Sequence, residues 1–118
     1  MSAPQVSDWA AAQAIEMLPG VTLRFETLER VLLAHITLAP RAAVPHHSHP
    51  EEQIGTVLEG SLRLELPDGA REVGAGATYR LPADVPHAAV AGAEGCVLIE
   101  AFSPPRAAWL ALRGEAGG

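Results

Sequence analysis

Four of the five histidines in this 118-residue chain fall in two short runs, Pro45-His46-His47-Ser48-His49-Pro50 and Val85-Pro86-His87. A neutral imidazole presents a nitrogen lone pair and is the commonest metal ligand among side chains. In an extended strand, side chains two residues apart share a face, so His47 and His49 point together while His46 and Ser48 point away. Two imidazoles from one strand need further donors from elsewhere. His87, expected in another strand after the turn-forming Pro82-Ala83-Asp84, is the natural third. A fourth donor should follow His49, and Glu51, Glu52 and Gln53 are the options. Strand parity favours Glu51 or Gln53, but Pro50 interrupts the ladder and leaves that choice open. Imidazole-rich donor sets suit one divalent transition metal ion (Zn, Ni, Fe, Co, Mn or Cu) rather than Mg or Ca.

The elements that must position these residues read as strands. Arg30 to Leu38 is β-branched and leucine-rich and stops before Pro40, as a strand covered on both sides would. Ser61 to Leu66 alternates, with Leu62, Leu64 and Leu66 on one face, and Pro67-Asp68-Gly69 turns it into Ala70 to Val73. Shorter strands are expected at Val21 to Thr27, Ala43 to Ser48, Gln53 to Leu58, Ala77 to Leu81, His87 to Ala91 and Cys96 to Phe102. Helix is expected only at Ser7 to Met17, with Ser7 or Asp8 as N-cap, and at Ala107 to Leu112. Many short strands with frequent turns indicate an all-β sandwich or barrel.

Length and composition fit one domain over residues 1–118, with residues 1–8 and 114–118 expected to be flexible. The net charge is −6, and only eight lysines and arginines are spread singly, so no footprint for nucleic acid exists. No apolar run approaches the roughly 20 residues of a membrane span, and the start lacks a secretory signal pattern, so a cytoplasmic location is expected. Cys96 is alone, which excludes an internal disulfide and a cysteine-based zinc cluster, and in Cys96-Val97-Leu98-Ile99 it reads as a buried inert thiol. His35 and His46 read as ordinary core or surface histidines, and Glu51 and Glu52 as a solvated rim. Strands apolar on both faces leave outward Leu and Val to be covered, and a homodimer packing one sheet on its copy is expected.

The run His47-Ser48-His49-Pro50-Glu51-Glu52-Gln53-Ile54-Gly55-Thr56-Val57-Leu58-Glu59-Gly60 resembles the first motif of the cupin superfamily. That motif is His-x-His, then a carboxylate or amide ligand, then six residues and a glycine. The resemblance implies a jelly-roll β-barrel and, counting back from Gly60, Gln53 as the fourth ligand. Gly76-x5-Pro82-x-Asp84-x2-His87 is similar to the second motif, with Asp84 where glycine is usual and Ala91 where asparagine often lies; the ligand position, His87, is kept. Three imidazoles and an amide oxygen leave the ion its full +2 charge, which favours a small anionic substrate at an open coordination position. Because histidine must be neutral to coordinate, metal loss is expected toward pH 5 to 6.

Glu100-Ala101-Phe102-Ser103-Pro104-Pro105-Arg106 carries a narrower resemblance, reaching back to Met17-Leu18-Pro19-Gly20. With the His-Ser-His-Pro and Glu-Gln-Ile-Gly runs it is similar to the small cupins of pectin and alginate breakdown, which convert unsaturated monouronates to linear keto forms. The resemblance implies Glu100 as a catalytic proton carrier, Arg106 as catalytic and substrate-binding clamp on a carboxylate, and Phe102 as a substrate-binding wall. Glu100 departs from that group, which carries the shorter aspartate. Tyr79 and Arg63 are the other polar side chains to look for in the cavity. The implied activity is a metal-dependent isomerase or lyase on a small carboxylated sugar or keto acid. A non-catalytic metal-stabilised binding module and a ferrous dioxygenase are the alternatives, and related small cupins assist polyketide cyclisation.

Overall fold

The computed structural model describes residues 3–114. Eight strands, β1 (Ile15–Leu18), β2 (Val21–Thr27), β3 (Leu32–Leu38), β4 (Ala43–His47), β5 (Glu52–Leu66), β6 (Gly69–Gly74), β7 (Thr78–Leu81) and β8 (His87–Ser103), precede one short helix, α1 (Ala107–Leu112). All pairings are antiparallel, in the order β1-β2-β3-β8-β5-β6, with β4 on β8 and β7 on β5. This is the expected all-β jelly roll.

The barrel closes because β5 and β8 are long enough to serve both layers. Residues 52–57 of β5 pair with residues 98–103 of β8, and residues 62–65 pair with residues 88–91. Between the halves both strands bulge, with register shifts at Val57/Glu59 and Gly60/Leu62. Gly60 and Gly95 sit there at φ +75 and +79, the left-handed region that glycine enters without steric penalty. Each bulge also changes which parity faces inward. On β5 the alternating buried side chains are Gln53 and Val57, then Leu62 and Leu64; on β8 they are His87, Ala89 and Ala91, with Ala88 also buried between them, then Cys96, Leu98, Glu100 and Phe102. The sequence reading broke β5 and β8 into two strands each because it took these glycines for turns.

One apolar cluster fills the barrel, centred on Val21, Leu23, Phe25, Leu32, Val57 and Phe102. Leu32, Ala34, Ile36 and Leu38 supply the inner face of β3, as alternation requires. Its outer face is not covered within the chain at Leu33, which is 41% exposed and lies in a row with Ala101 and the 57% exposed Ile54.

Ala107–Leu112 is helical as expected. The N-terminal helix is not: Trp9–Ala11 forms one 3-10 turn without a side-chain cap, and Ile15–Leu18 pairs with β2 instead. An isolated helix of about three turns is marginal, and a ladder beside an existing strand outweighs the helix preference of its alanines. Of the flexible ends expected, residues 1–2 and 115–118 lie outside the described residues.

Candidate metal centre

His47 ends β4 and His87 opens β8, and the two are direct cross-strand partners. His49 lies just past β4, where Pro50 prevents the ladder from continuing. The loop is held by a backbone bond from the Asp84 N–H to the His49 carbonyl, 2.8 Å. Asp84 adopts φ +66, so the residue that stands where glycine is usual belongs to the few types that tolerate this region. The two motifs are thereby tied together at the backbone.

The three imidazoles converge, with ring centroids 4.3 Å apart for His47 and His87, 5.1 Å for His49 and His87, and 5.6 Å for His47 and His49. Their ligand atoms all lie within 4.8 Å of one another. Each ring is oriented from behind by a backbone carbonyl on Nδ1: Pro45 O for His47 at 2.9 Å, Glu51 O for His49 at 3.1 Å and Val85 O for His87 at 2.9 Å. A proton on Nδ1 satisfies all three contacts and leaves every Nε2 lone pair facing the centre, the arrangement metal-binding histidines need.

Gln53 lies beside them, buried on β5. Its Nε2 donates to Glu100 Oε2 at 2.6 Å, which turns its Oε1 toward His49 Nε2 at 3.1 Å. A neutral His49 has one N–H, and both its ring nitrogens face carbonyl oxygens. One of the two contacts therefore sets lone pair against lone pair. A cation between Nε2 and Oε1 relieves this, so the donors fit a divalent ion held by His47, His49, His87 and Gln53.

Burial favours the neutral form of His87 and His49. The His87 pKa is lowered to about 4, first by desolvation, with His47, His49 and Arg106 adding positive charge and the Val85 carbonyl opposing; His49 is lowered by desolvation and Arg106. Proton competition for His87 therefore begins below the pH 5 to 6 expected from an ordinary imidazole. The unfolded chain binds the proton near 6.5 and the folded chain only near 4, so stability is full above about 6.5 and falls as pH drops toward 4. In a chelator, the difference in thermal midpoint between wild type and His87→Ala isolates this group: it should be level from pH 8 to 6.5 and move in the variant's favour below. A difference that moves in the wild type's favour on acidification through that window contradicts this.

Beside the histidines lies a cavity lined by Gln53, Tyr79, Glu100, Phe102, Arg106 and Trp109, with Ile36, Leu38, Leu62, Leu64 and Leu98 as its apolar wall. Glu100 and Phe102 point inward from alternate positions of β8. Burial raises the Glu100 pKa, opposed by hydrogen bonds from Tyr79 and Gln53 and by the charge of Arg106. The Tyr79 phenol is pushed far above its ordinary value by burial and the Glu100 charge, so it stays a donor. Arg106, just before α1, lies over the Trp109 ring with 4.9 Å from Cζ to the centroid, and 5.9 Å from that of Phe102.

Glu51 corrects the sequence reading. It is buried rather than rim, its Oε1 3.5 Å from His49 Nδ1 and 3.6 Å from Arg106 Nη1. The backbone between β4 and β5 is irregular, so strand parity carries no information at this position. Glu52 is exposed, as expected, and so is His46. His35 packs against Trp9 at 5.4 Å, its buried Nδ1 without a hydrogen bond among the described residues. Arg63 points away to Glu72, whereas Tyr79 does reach the cavity. Cys96 is a buried free thiol whose pKa burial pushes up to about 11. Trp109 went unread as a site residue; its spacing of three from Arg106 across the start of α1 was the available signal.

An antiparallel jelly roll with three histidines converging in its interior defines a class of barrels built to hold a metal ion. The family model for the cupin domain matches residues 34–102, and the chain belongs to that family. Among solved structures, KdgF from Halomonas sp. superposes with TM-score 0.84 at 23% identity, covering 92% of this chain and 100% of that one. An RmlC-like cupin from Shewanella frigidimarina NCIMB 400 gives 0.83 at 22%, covering 91% and 96%. The polyketide cyclase RemF from Streptomyces resistomycificus gives 0.75 at 28%, covering 88% and 81%. No curated protein sequence matches the chain.

Proposed function

We propose that this cupin is a metal-dependent isomerase or lyase acting on a small carboxylated sugar or keto acid, with ketonisation of unsaturated uronates as the reaction its residues suit best. The observation that supports this most is the meeting, in one cavity, of the imidazole centre with Glu100 and with Arg106, whose buried Nε has no hydrogen-bond partner among the described residues. A guanidinium lining an apolar cavity suits a ligand carboxylate, which arginine binds through paired hydrogen bonds. The bound metal supplies Lewis acidity for a substrate oxygen. Phe102 and Trp109 hold Arg106 and exclude water from one side of the ligand.

Glu100, kept weakly acidic by burial, carries the proton. The substrate's hemiacetal O–H gives up a proton to Glu100 as the ring C–O bond breaks, leaving an aldehyde and an enolate. The same proton returned to the enolate carbon gives the ketone, and the atoms balance without a co-reactant. General acid–base groups contribute about 10²–10⁴-fold to such steps.

Metal-restored protein should speed the loss of unsaturated-uronate absorbance. Arg106→Ala should act mainly on KM and Glu100→Gln mainly on kcat, the latter by about 10²–10⁴-fold. A rate no greater than buffer across several divalent ions ends the reading. Tight binding of a small carboxylate without turnover, unchanged in both variants, would favour a non-catalytic binding module instead.

A further inference from the structure

Tyr79 of β7, Gly55 of β5 and Glu100 of β8 stand side by side on one row of the sheet, and Ala34 follows beyond Glu100. Adjacent strands lie about 4.8 Å apart, so Tyr79 and Glu100 start roughly 10 Å from one another. Their side chains meet because the phenol ring lies flat across Gly55. A Cβ on Gly55 would sit 2.3 Å from the ring Cζ and 2.4 Å from the hydroxyl oxygen, so no other residue accommodates the ring there. The hydroxyl donates to Glu100 Oε2. The same oxygen accepts the Gln53 amide at 2.6 Å from the other side. Gln53, Tyr79 and Glu100 are all buried, so water does not replace these bonds.

A carboxylate ligand offers a metal either of two equivalent oxygens. An amide does not: its oxygen and nitrogen ends differ little in shape, and the wrong end turns two N–H groups on the cation. A glutamine ligand therefore needs something to fix which end points inward, and among the described residues the bond that does so is the one from its NH₂ to Glu100. A glutamate at position 53 would instead set two carboxylates 2.6 Å apart, which demands a shared proton.

We propose that Gly55, Tyr79 and Glu100 form an orienting relay that turns the carbonyl oxygen of Gln53 toward the metal, with Tyr79 as a positioning residue. Tyr79 does not touch the ion. It anchors the carboxylate that anchors the ligand, and Gly55 is the gap through which it reaches. Glu100 takes part through Oε2, which leaves Oε1 for the ligand. The proposal rests on the metal-site reading and is independent of the uronate substrate.

The test is Co(II) binding by the purified full-length chain, read by competition titration and by the visible absorption of the bound ion. Outer contacts of metal ligands are worth about 10–100-fold in affinity, so Glu100→Ala should weaken binding by that factor. Tyr79→Phe should weaken it less, and both should alter the shape of the Co(II) bands. Gly55→Val should match Tyr79→Phe; since it can unfold the sheet, Tyr79→Phe is the deciding variant. In a Gln53→Glu background Glu100→Ala should cost no affinity, because a ligating carboxylate has two equivalent oxygens and needs nothing to choose its end. A merely structural role of Glu100 would cost as much in that background as in the wild type. Wild-type binding with Glu100→Ala and Tyr79→Phe inside twofold and spectrally unchanged overturns the relay alone. A wild-type chain that takes up no Co(II) overturns the metal reading, and the relay with it.

Discussion

His87→Ala should lose the metal and, with it, all turnover, while the barrel still folds. Structural zinc sites of four ligands are worth about 10–16 kcal/mol, so one ligand carries about 2.5–4 kcal/mol, and its loss weakens binding by about 70–900-fold. The folding side is favourable to the variant. His87 is a buried imidazole whose pKa is lowered to about 4, so its removal deletes a group that burial disfavours in its charged form. Its ring makes one protein hydrogen bond among the described residues, to the Val85 carbonyl two residues away. Elemental analysis after dialysis and the uronate absorbance assay read the loss; thermal unfolding in chelator reads the fold. A His87→Ala protein that keeps one equivalent of metal through dialysis would remove the centre from the account.

Gly60→Ala should be the most destabilising single methyl in the molecule. Its Cβ would lie 2.0 Å from the backbone oxygen of Gly95 and 2.9 Å from that residue's carbonyl carbon, neither of which can swing aside as a side chain does. The left-handed backbone adds about 1–3 kcal/mol for a non-glycine residue, and overpacking about 1–3 kcal/mol more. The sum, about 2–6 kcal/mol, is a large part of the roughly 5–15 kcal/mol by which domains are stable. Gly74→Ala is the control, because a Cβ there meets nothing within 4 Å and its φ is not in the left-handed range. Urea midpoints should fall steeply for the first and change little for the second. Equal shifts would mean that the bulge tolerates a side chain and that the close approach of β5 and β8 is not what demands glycine.

What could be read from the chain follows from how local each signal is. His47 and His49 were legible because a strand repeats every two residues, and His87 because a proline-rich turn precedes it. Gln53 was not legible from parity, since Pro50 breaks the strand; only the motif spacing to Gly60 selected it over Glu51. Glu51 itself was misread. Its burial depends on Arg106, which is 55 residues further along the chain and enters from the other end of the fold. The helix expected at Ser7 to Met17 failed for the same reason, because the partner that makes Ile15–Leu18 a strand is β2 and not a neighbour within the segment. Tyr79 could be named but not placed, since its reach depends on Gly55 lying between it and Glu100 across three strands.

The long strand β8 carries His87 at one end and Glu100 and Phe102 near the other, with the inward parity reversed at the bend between Ala91 and Cys96. Its length is consequently fixed by geometry. Adding or deleting one residue on either straight half would rotate everything beyond it by half a pleat, sending His87 or Glu100 to the outside and a solvent-facing side chain into the core. An exchange of side chains leaves that phase untouched, whereas a gap or insertion keeps it only in a turn. The pleat itself thus sets the spacing of the residues that meet in the cavity.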